Sequence, residues 1–260
     1  MPCSLDHFQA RYMRDQLVAA RDAAFRDAEG FQDVLFTLEK IGQFLSGKTG
    51  TLATYKPAIE GLASQSCLAY EIPRSQHGHG WHTSFGDLYD LVRKARNEAM
   101  HQGSYARHLT DYSVRLSLIL EDALMTSGST ATDFMVSNPV VAFPWQPVSY
   151  LREQMLTHGF SFIPIRISEE AGSEWQLLAE CSVAKYLRAF NCENTRKKRL
   201  ATQIKEAISS KDLELLPAIT IDPHSSIDEV ISKLDGKPVL VVNKSNPEVL
   251  IGIITAFDIM

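Results

Sequence analysis

Apolar side chains recur every three to four positions through most of the first 125 residues, a spacing typical of amphipathic helices. Strand-like alternation is nearly absent between Leu5 and Met125. Stretches containing glycine or proline separate the apolar stripes, as short-loop helical bundles require. We therefore predict an all-α domain of the four-helix-bundle type over residues 1–126. The residues expected to supply its apolar stripes are Leu17, Ala20, Phe25, Leu35, Leu38, Ile41, Leu45, Leu62, Leu118 and Leu120.

The clearest helix of this domain is predicted from Phe85 to Met100. At about 100 degrees per residue, Asn97 and His101 lie opposite its apolar stripe, one turn apart, and Arg96 lies on the flank. Histidine can transfer a proton near neutral pH and arginine can bind a phosphate, so the group could cleave a phosphodiester. Alternatively, the histidine only complements the helix dipole. The stripe consists of Leu88, Leu91, Val92, Ala95 and Ala99, and Gly103 supplies the stop.

The second half of the chain repeats one pattern, which is strand, helix, strand, strand, helix. We predict an α/β region over residues 134–260, with a first copy at 134–190, a connecting helix at 191–216 and a second copy at 217–260. A small polar segment, 127–133, is expected to be the linker. The offset between copies begins at 79 residues and shrinks to 73. Pro144, Val148 and Leu151 return as Pro223, Ile227 and Val230.

The second copy ends on the sequence GIITAFDIM, in which Gly252, Thr255 and Asp258 are spaced as G-x-x-T-x-x-D. The threonine lies where an apolar strand gives way to a helix start. A carboxylate one turn further on can accept hydrogen bonds from both hydroxyls of a ribose. The same spacing also fits an ordinary strand-to-helix junction with a threonine N-cap.

The two copies resemble a tandem pair of CBS motifs, the adenosine-nucleotide-sensing pair often called a Bateman module. This resemblance implies clefts for AMP, ATP or a related ligand. It gives Gly252, Thr255 and Asp258 to the ribose and places the backbone of Thr220 and Pro238 beside the base. In the first copy, Ala179, Ser182 and Lys185 stand at the positions of the ribose-binding residues, so we expect one nucleoside site and not two.

The segment VRKARNEAMHQGSY, from Val92 to Tyr105, is similar to the R-N-x-x-x-H motif of the HEPN superfamily. Many HEPN domains are dimeric, metal-independent ribonucleases of toxin, antiphage or RNA-processing systems. The resemblance implies that Arg96 binds the scissile phosphate, Asn97 orients the site and His101 is the general acid or base. Other members of the superfamily lack nuclease activity and act as binding or scaffolding domains.

Charge limits where RNA could bind. The chain has a formal net charge of −5, with 13 basic and 15 acidic residues up to Leu124 and 13 and 16 thereafter. Neither half is globally basic, so an RNA contact must be local. Arg93, Lys94, Arg96 and Arg107 could supply such a patch near the motif. The run from Arg196 to Arg199 is expected to be a solvated helix face.

Three features of the sequence bear on its compartment, on membrane contact and on metal binding. The four cysteines have no C-x-x-C spacing, which favours a reduced compartment, and no apolar run approaches a membrane span. We therefore expect a cytoplasmic protein that contacts no membrane. The loop with His77, His79 and His82 lacks other ligands at zinc spacing, so no metal is expected.

The two resemblances together imply a homodimer with metal-independent endoribonuclease activity on RNA, regulated by an adenosine nucleotide such as AMP or ATP, and we expect it to be cytoplasmic. The alternative is a non-catalytic adenine-nucleotide sensor whose helical domain mediates dimerisation or partner binding. A third reading, in which the helical motif modifies or binds nucleotides, stays open.

Overall fold

A computed structural model describes residues 5–27, 30–66, 83–102, 106–126, 128–167, 174–188 and 193–260. The chain forms two compact units, Met1–Gly128 and Ser129–Met260.

The described part of the first unit is helical throughout, as its periodicity predicts. Local capping sets the ends of these helices: the Asp6 carboxylate accepts from the Gln9 amide at 2.8 Å, and Gly47 ends the second helix at a φ of 65°. The first helix packs against the second and fifth, the second against the third, and the fourth against the fifth. These helices are α1 (His7–Arg26), α2 (Phe31–Ser46), α3 (Leu52–Ala63), α4 (Phe85–Gln102) and α5 (Ala106–Met125).

Most residues of the predicted apolar stripes are buried, but Phe25, Leu91 and Leu118 are exposed. A helix at the surface of a bundle buries only one stripe, and an apolar residue beside that stripe can point to solvent. In α1 the neighbouring Ala24 takes the core position, and in α4 Val92 does so. Periodicity therefore located the helices better than it located the edges of their buried faces.

The described part of the second unit contains two sheets, each covered by short helices. One sheet has the order β1-β7-β6-β5 and the other the order β2-β3-β4. The elements are α6 (Ala131–Phe134), β1 (Val136–Ser137), α7 (Val148–His158), β2 (Phe162–Ile165), β3 (Gln176–Ala179), α8 (Glu180–Arg188), α9 (Glu193–Ala201), α10 (Ile204–Ser209), β4 (Leu216–Pro217), β5 (Ile219–Ile221), α11 (Ile227–Lys233), β6 (Val239–Asn243), β7 (Asn246–Ile254) and a 3-10 helix (Ala256–Asp258).

The internal repeat is visible in the backbone hydrogen bonds of this unit. Helices α7 and α11 begin at Val148 and Ile227, which are 79 residues apart, as the sequence pattern predicts. The Val148 amide donates to the Thr202 carbonyl at 3.0 Å, and the Ile227 amide donates to the Ser129 carbonyl at 2.9 Å. The helix starts of the two copies are therefore held by equivalent bonds.

Each sheet includes a short strand from the start of the other copy. Strand β1, at the start of the first copy, pairs with β7 of the second, and β4, where the second copy begins, pairs with β3 of the first. In the same way Ala131 lies in the core of the second copy, and Ile204 lies in the core of the first. A further apolar cluster, with Leu177 and Leu240 fully buried, joins the two sheets.

This exchange also fixes the position of the last residues of the predicted linker, 127–133. The Asp133 carboxylate is buried and accepts from the amides of Ser129 and Thr130 at 3.0 and 2.9 Å. Residues 129–133 are thus folded into the second unit, because capping and burial of α6 fix them there.

Candidate functional site

A cavity of about 580 Å³ lies in the second unit, where the end of β7 meets the starts of β2 and β6. Four segments line it: 136–140 with β1, 159–164 with β2, 234–238 before β6, and 253–258 at the end of β7. Both copies therefore contribute walls. A cavity of this volume, formed between two packed sheets, is of the size that holds a small organic ligand.

Thr255 and Asp258 form one rigid corner of this cavity. Thr255 has an extended backbone and begins the 3-10 helix. The Oδ2 atom of Asp258 accepts from the Thr255 amide at 2.7 Å and from its hydroxyl at 2.8 Å. These bonds orient the carboxylate, and they also satisfy the backbone amide of Thr255.

The remaining walls are mainly apolar. Pro238, which the resemblance placed beside the base, is buried and lines the cavity, together with Phe162 from the first copy. Polar groups stand at the edge, where Asn138 adopts a positive φ of 53° and Lys237 brings a positive charge. The arrangement suits a flat apolar ring with a polar, negatively charged extension. Further apolar lining comes from Pro139, Val140, Phe160 and Ile253.

Gly252 does not line the cavity, although its lack of a side chain is required. A Cβ atom added there would lie 2.6 Å from the Sδ atom of Met135, which packs over the glycine. Ser137 of β1 pairs with Gly252 in the same place. The segment of Met135 and Ser137 therefore approaches β7 closely at this glycine.

Thr220 also lies outside the cavity lining. It stands on β5, is exposed, and pairs with Leu240 in parallel register. Of the five nucleotide-site residues predicted in the second copy, the structure brings Pro238, Thr255 and Asp258 together in one cavity.

Sequence reasoning missed the contribution of the first copy. Phe160, Phe162 and Asn138 line the cavity beside Asp258, although they precede it by about a hundred residues. The repeat was recognised, but the exchange of β1 and the packing of β2 near β6 leave no trace in the spacing of side chains. The one signal in the sequence was the asparagine at position 138, because asparagine is enriched at the positive φ that Asn138 adopts.

The corresponding corner of the first copy has different chemistry. Ala179 and Ser182 are buried, and Lys185 is exposed on α8. Lysine carries three donors and no acceptor, so it cannot accept from ribose hydroxyls.

In the helical unit, Arg96 is held by a carboxylate from a neighbouring helix. Its Nη2 atom lies 3.1 Å from Oε1 of Glu39 on α2. Glu39 also lines an open groove of about 650 Å³ between α1, α2 and the start of α3. Asn97 and His101 lie on α4, but their side chains fall outside the described residues, as do His77, His79, His82 and Arg107.

Helix α4 is also tied to α3 by an ion pair. Asp90 Oδ2 accepts from Lys56 Nζ at 2.8 Å. This hydrogen bond and the nearby charge lower the pKa of Asp90 and raise the pKa of Lys56. Burial raises the pKa of Tyr89, whose hydroxyl donates to the Leu52 carbonyl at 2.8 Å. These contacts position the motif helix against α3.

Comparison with known proteins identifies part of the second unit. Residues 207–260 match the family model described as "CBS domain", so the chain contains a CBS domain there. CBS domains commonly bind adenosine nucleotides as regulatory ligands, which makes nucleotide sensing the function that this domain suggests. No curated protein matches the chain significantly.

Several solved structures share similarity with the chain. A functionally unknown conserved protein domain from Neisseria meningitidis MC58 is 17% identical, with a TM-score of 0.39, over 67% of this chain and 99% of that one. A CBS domain-containing protein of unknown function from Bacillus anthracis is 15% identical (TM-score 0.38; 50% and 88%). A hemolysin-like CBS protein from Oenococcus oeni PSU is 12% identical (TM-score 0.36; 50% and 86%).

Among the described residues, none of the helices has the length and apolar character needed to cross a bilayer. Within these ranges, no three histidine, cysteine or acidic side chains are grouped as metal ligands would be.

Proposed function

We propose that the C-terminal unit is a regulatory sensor that binds an adenosine nucleotide, AMP or ATP, in the 580 Å³ cavity. The observation that carries this proposal is the placement of Thr255, Asp258 and Pro238 of a CBS domain in one cavity with apolar walls. The first copy, with its equivalent bonds, acts as the second member of a CBS pair.

The cavity offers a suitable contact for each part of the nucleotide. The base packs between Pro238 and the aromatic side chains of the first copy, and the ribose hydroxyls donate to the Asp258 carboxylate, which Thr255 orients. Lys237 at the rim attracts the phosphates. Only one such site forms per chain, because Lys185 replaces the acceptor in the first copy.

Calorimetric titration of AMP and ATP into the full chain tests this proposal. Asp258→Asn keeps an acceptor for Thr255 but removes the charge, so affinity should fall by about 10- to 100-fold, as expected for loss of a charged hydrogen bond. Asp133→Asn is the matched control, because Asp133 accepts the same two bonds from Thr130 and does not line the cavity. Equal affinities of wild type and Asp258→Asn would contradict the proposal.

A second proposal concerns the helical unit, which we propose to be a HEPN-type, metal-independent endoribonuclease that acts as a homodimer under control of the nucleotide. It rests on the R-N-x-x-x-H motif, with Arg96 on the phosphate, Asn97 orienting and His101 as acid or base. The Glu39–Arg96 pair must open, or be shared, for the arginine to reach a phosphate.

Mixed cellular RNA incubated in EDTA with wild type and with His101→Ala tests this activity, each with and without AMP and ATP. Cleavage by wild type alone is the expected result, and a nucleotide effect on its rate would connect the two units. Absence of cleavage by folded protein that binds nucleotide would reject the nuclease. It would favour the alternative, a sensor whose helical unit dimerises or binds a partner.

A further inference from the structure

Positive charge is concentrated in one short stretch of this acidic chain. Seven of the 13 basic residues after Leu124 lie between Lys185 and Lys205, and only Glu193 is acidic there. Most of these side chains are exposed. Such a concentration attracts polyanions even when the net charge of the protein is negative. We call the exposed members the cationic face: Lys185, Arg188, Arg196, Lys197, Lys198 and Lys205.

Helix packing brings the members of the cationic face together. Helix α9, with Arg196, Lys197 and Lys198, packs against both α8 and α7. Arg199 has a different role, since its guanidinium stacks over the Tyr186 ring at 4.6 Å and lies 3.6 Å from the Asp212 carboxylate. It anchors α9 to α8, and the three preceding basic residues face solvent.

An exposed aromatic pair stands at the end of this face. Phe143 and Trp145 are 49% and 63% exposed, and their rings stack at 6.1 Å with an angle of 18° between planes. The segment that carries them is bonded to the end of the cationic stretch: the Lys205 amide donates to the Pro144 carbonyl at 2.9 Å. The amide of the preceding residue, Ile204, donates to the Gln146 carbonyl at 2.9 Å.

The internal repeat supplies a comparison within the same molecule. The positions 79 residues after Phe143 and Trp145 are Asp222 and His224. The backbone of the second copy makes the equivalent bonds there, as when the Thr132 amide donates to Pro223 at 3.0 Å. The fold of a copy thus needs neither exposed aromatic rings nor neighbouring cations, and their presence on the first copy calls for a ligand.

We infer that the cationic face and the Phe143–Trp145 pair together bind single-stranded nucleic acid, with RNA as the expected form. Lysine and arginine side chains bind successive phosphates, and an exposed ring stacks on an unpaired base. Glu206 and Asp212 border the face and limit its extent. This inference rests on neither the nucleotide cavity nor the motif at Arg96.

Fluorescence anisotropy of labelled oligouridylate and oligothymidylate with the full chain tests the inference, at about 50 to 200 mM salt. Oligothymidylate cannot be cleaved through a 2′-hydroxyl, so its binding is independent of any nuclease activity. Trp145→Ala should weaken binding about tenfold with little change in salt dependence, and Trp145→Phe should retain most of the affinity. The double variant Lys197→Ala/Lys198→Ala should lower the slope of log affinity against log salt by about 1.4.

Matched controls come from the second copy. His224→Ala replaces the residue equivalent to Trp145, and Lys244→Ala removes an exposed lysine outside the face; both should bind as wild type does. No binding at low salt would overturn the inference. The inference would also be overturned if polyphosphate bound as tightly as the oligonucleotides and Trp145→Ala had no effect on oligonucleotide affinity. The face would then attract any polyanion. Circular dichroism of each variant confirms that it is folded.

Discussion

At the scale of single residues, one short motif occurs twice with different surroundings. Thr130 and Asp133 are spaced as Thr255 and Asp258 are, and both aspartates accept from the amide and hydroxyl of their threonine. Asp133 is buried, however, and only Asp258 lines the cavity. The hydrogen-bonding pattern is therefore a local cap. Whether its aspartate can contact a ligand depends on the residues that surround it.

This difference explains how much of the site the sequence could predict. Thr255, Asp258 and Pro238 were predicted from the resemblance of the second copy to a CBS motif, and all three line the cavity. Phe162 and Asn138 were not found, because their role depends on which strand ends meet in space. Arg96 was predicted as a phosphate ligand, but no spacing rule could reveal that Glu39 on another helix lies 3.1 Å from it.

Gly252 gives a prediction at the same scale. Gly252→Ala should destabilise the second unit by about 1 to 3 kcal/mol, because the new methyl group overlaps the side chain of Met135. Urea denaturation followed by circular dichroism measures this loss. Met135→Ala introduced into Gly252→Ala should recover part of the stability, since it removes the atoms that collide.

Gly61→Ala is the control for the substitution itself. Nothing lies within 4 Å of a Cβ at this position of helix α3, so alanine should leave the helical unit as stable or slightly more stable. If Gly252→Ala unfolded at the same urea concentration as wild type, the packing of Met135 over β7 would not be the reason for a glycine there.

At the scale of elements, the repeat was predictable and the exchange between copies was not. Pro144 and Pro223 precede equivalent helix starts, and α7 and α11 begin where the 79-residue offset predicts. Strands β1 and β4 are two residues long and carry too little pattern to predict their partners. Their pairing with the opposite copy is set by tertiary packing, which places Ala131 and Ile204 in cores distant along the chain.

At the scale of the whole molecule, the chain combines an all-helical unit with an α/β unit that contains a CBS domain at residues 207–260. Composition alone did not predict these two units. They were predicted from the change along the chain from helical periodicity to short β-branched runs. We propose nucleotide binding in the cavity of the second unit and binding of single-stranded nucleic acid on its cationic face. The two sites are independent proposals, and either one can fail without the other.

The most direct test of the central claim is a crystal structure of the full chain with saturating AMP. We expect one nucleotide per chain in the 580 Å³ cavity, with both ribose hydroxyls about 2.5 to 3.2 Å from the Asp258 carboxylate, and no nucleotide beside Lys185. An empty cavity at saturating AMP, or a nucleotide bound only beside Ser182 and Lys185, would contradict the account.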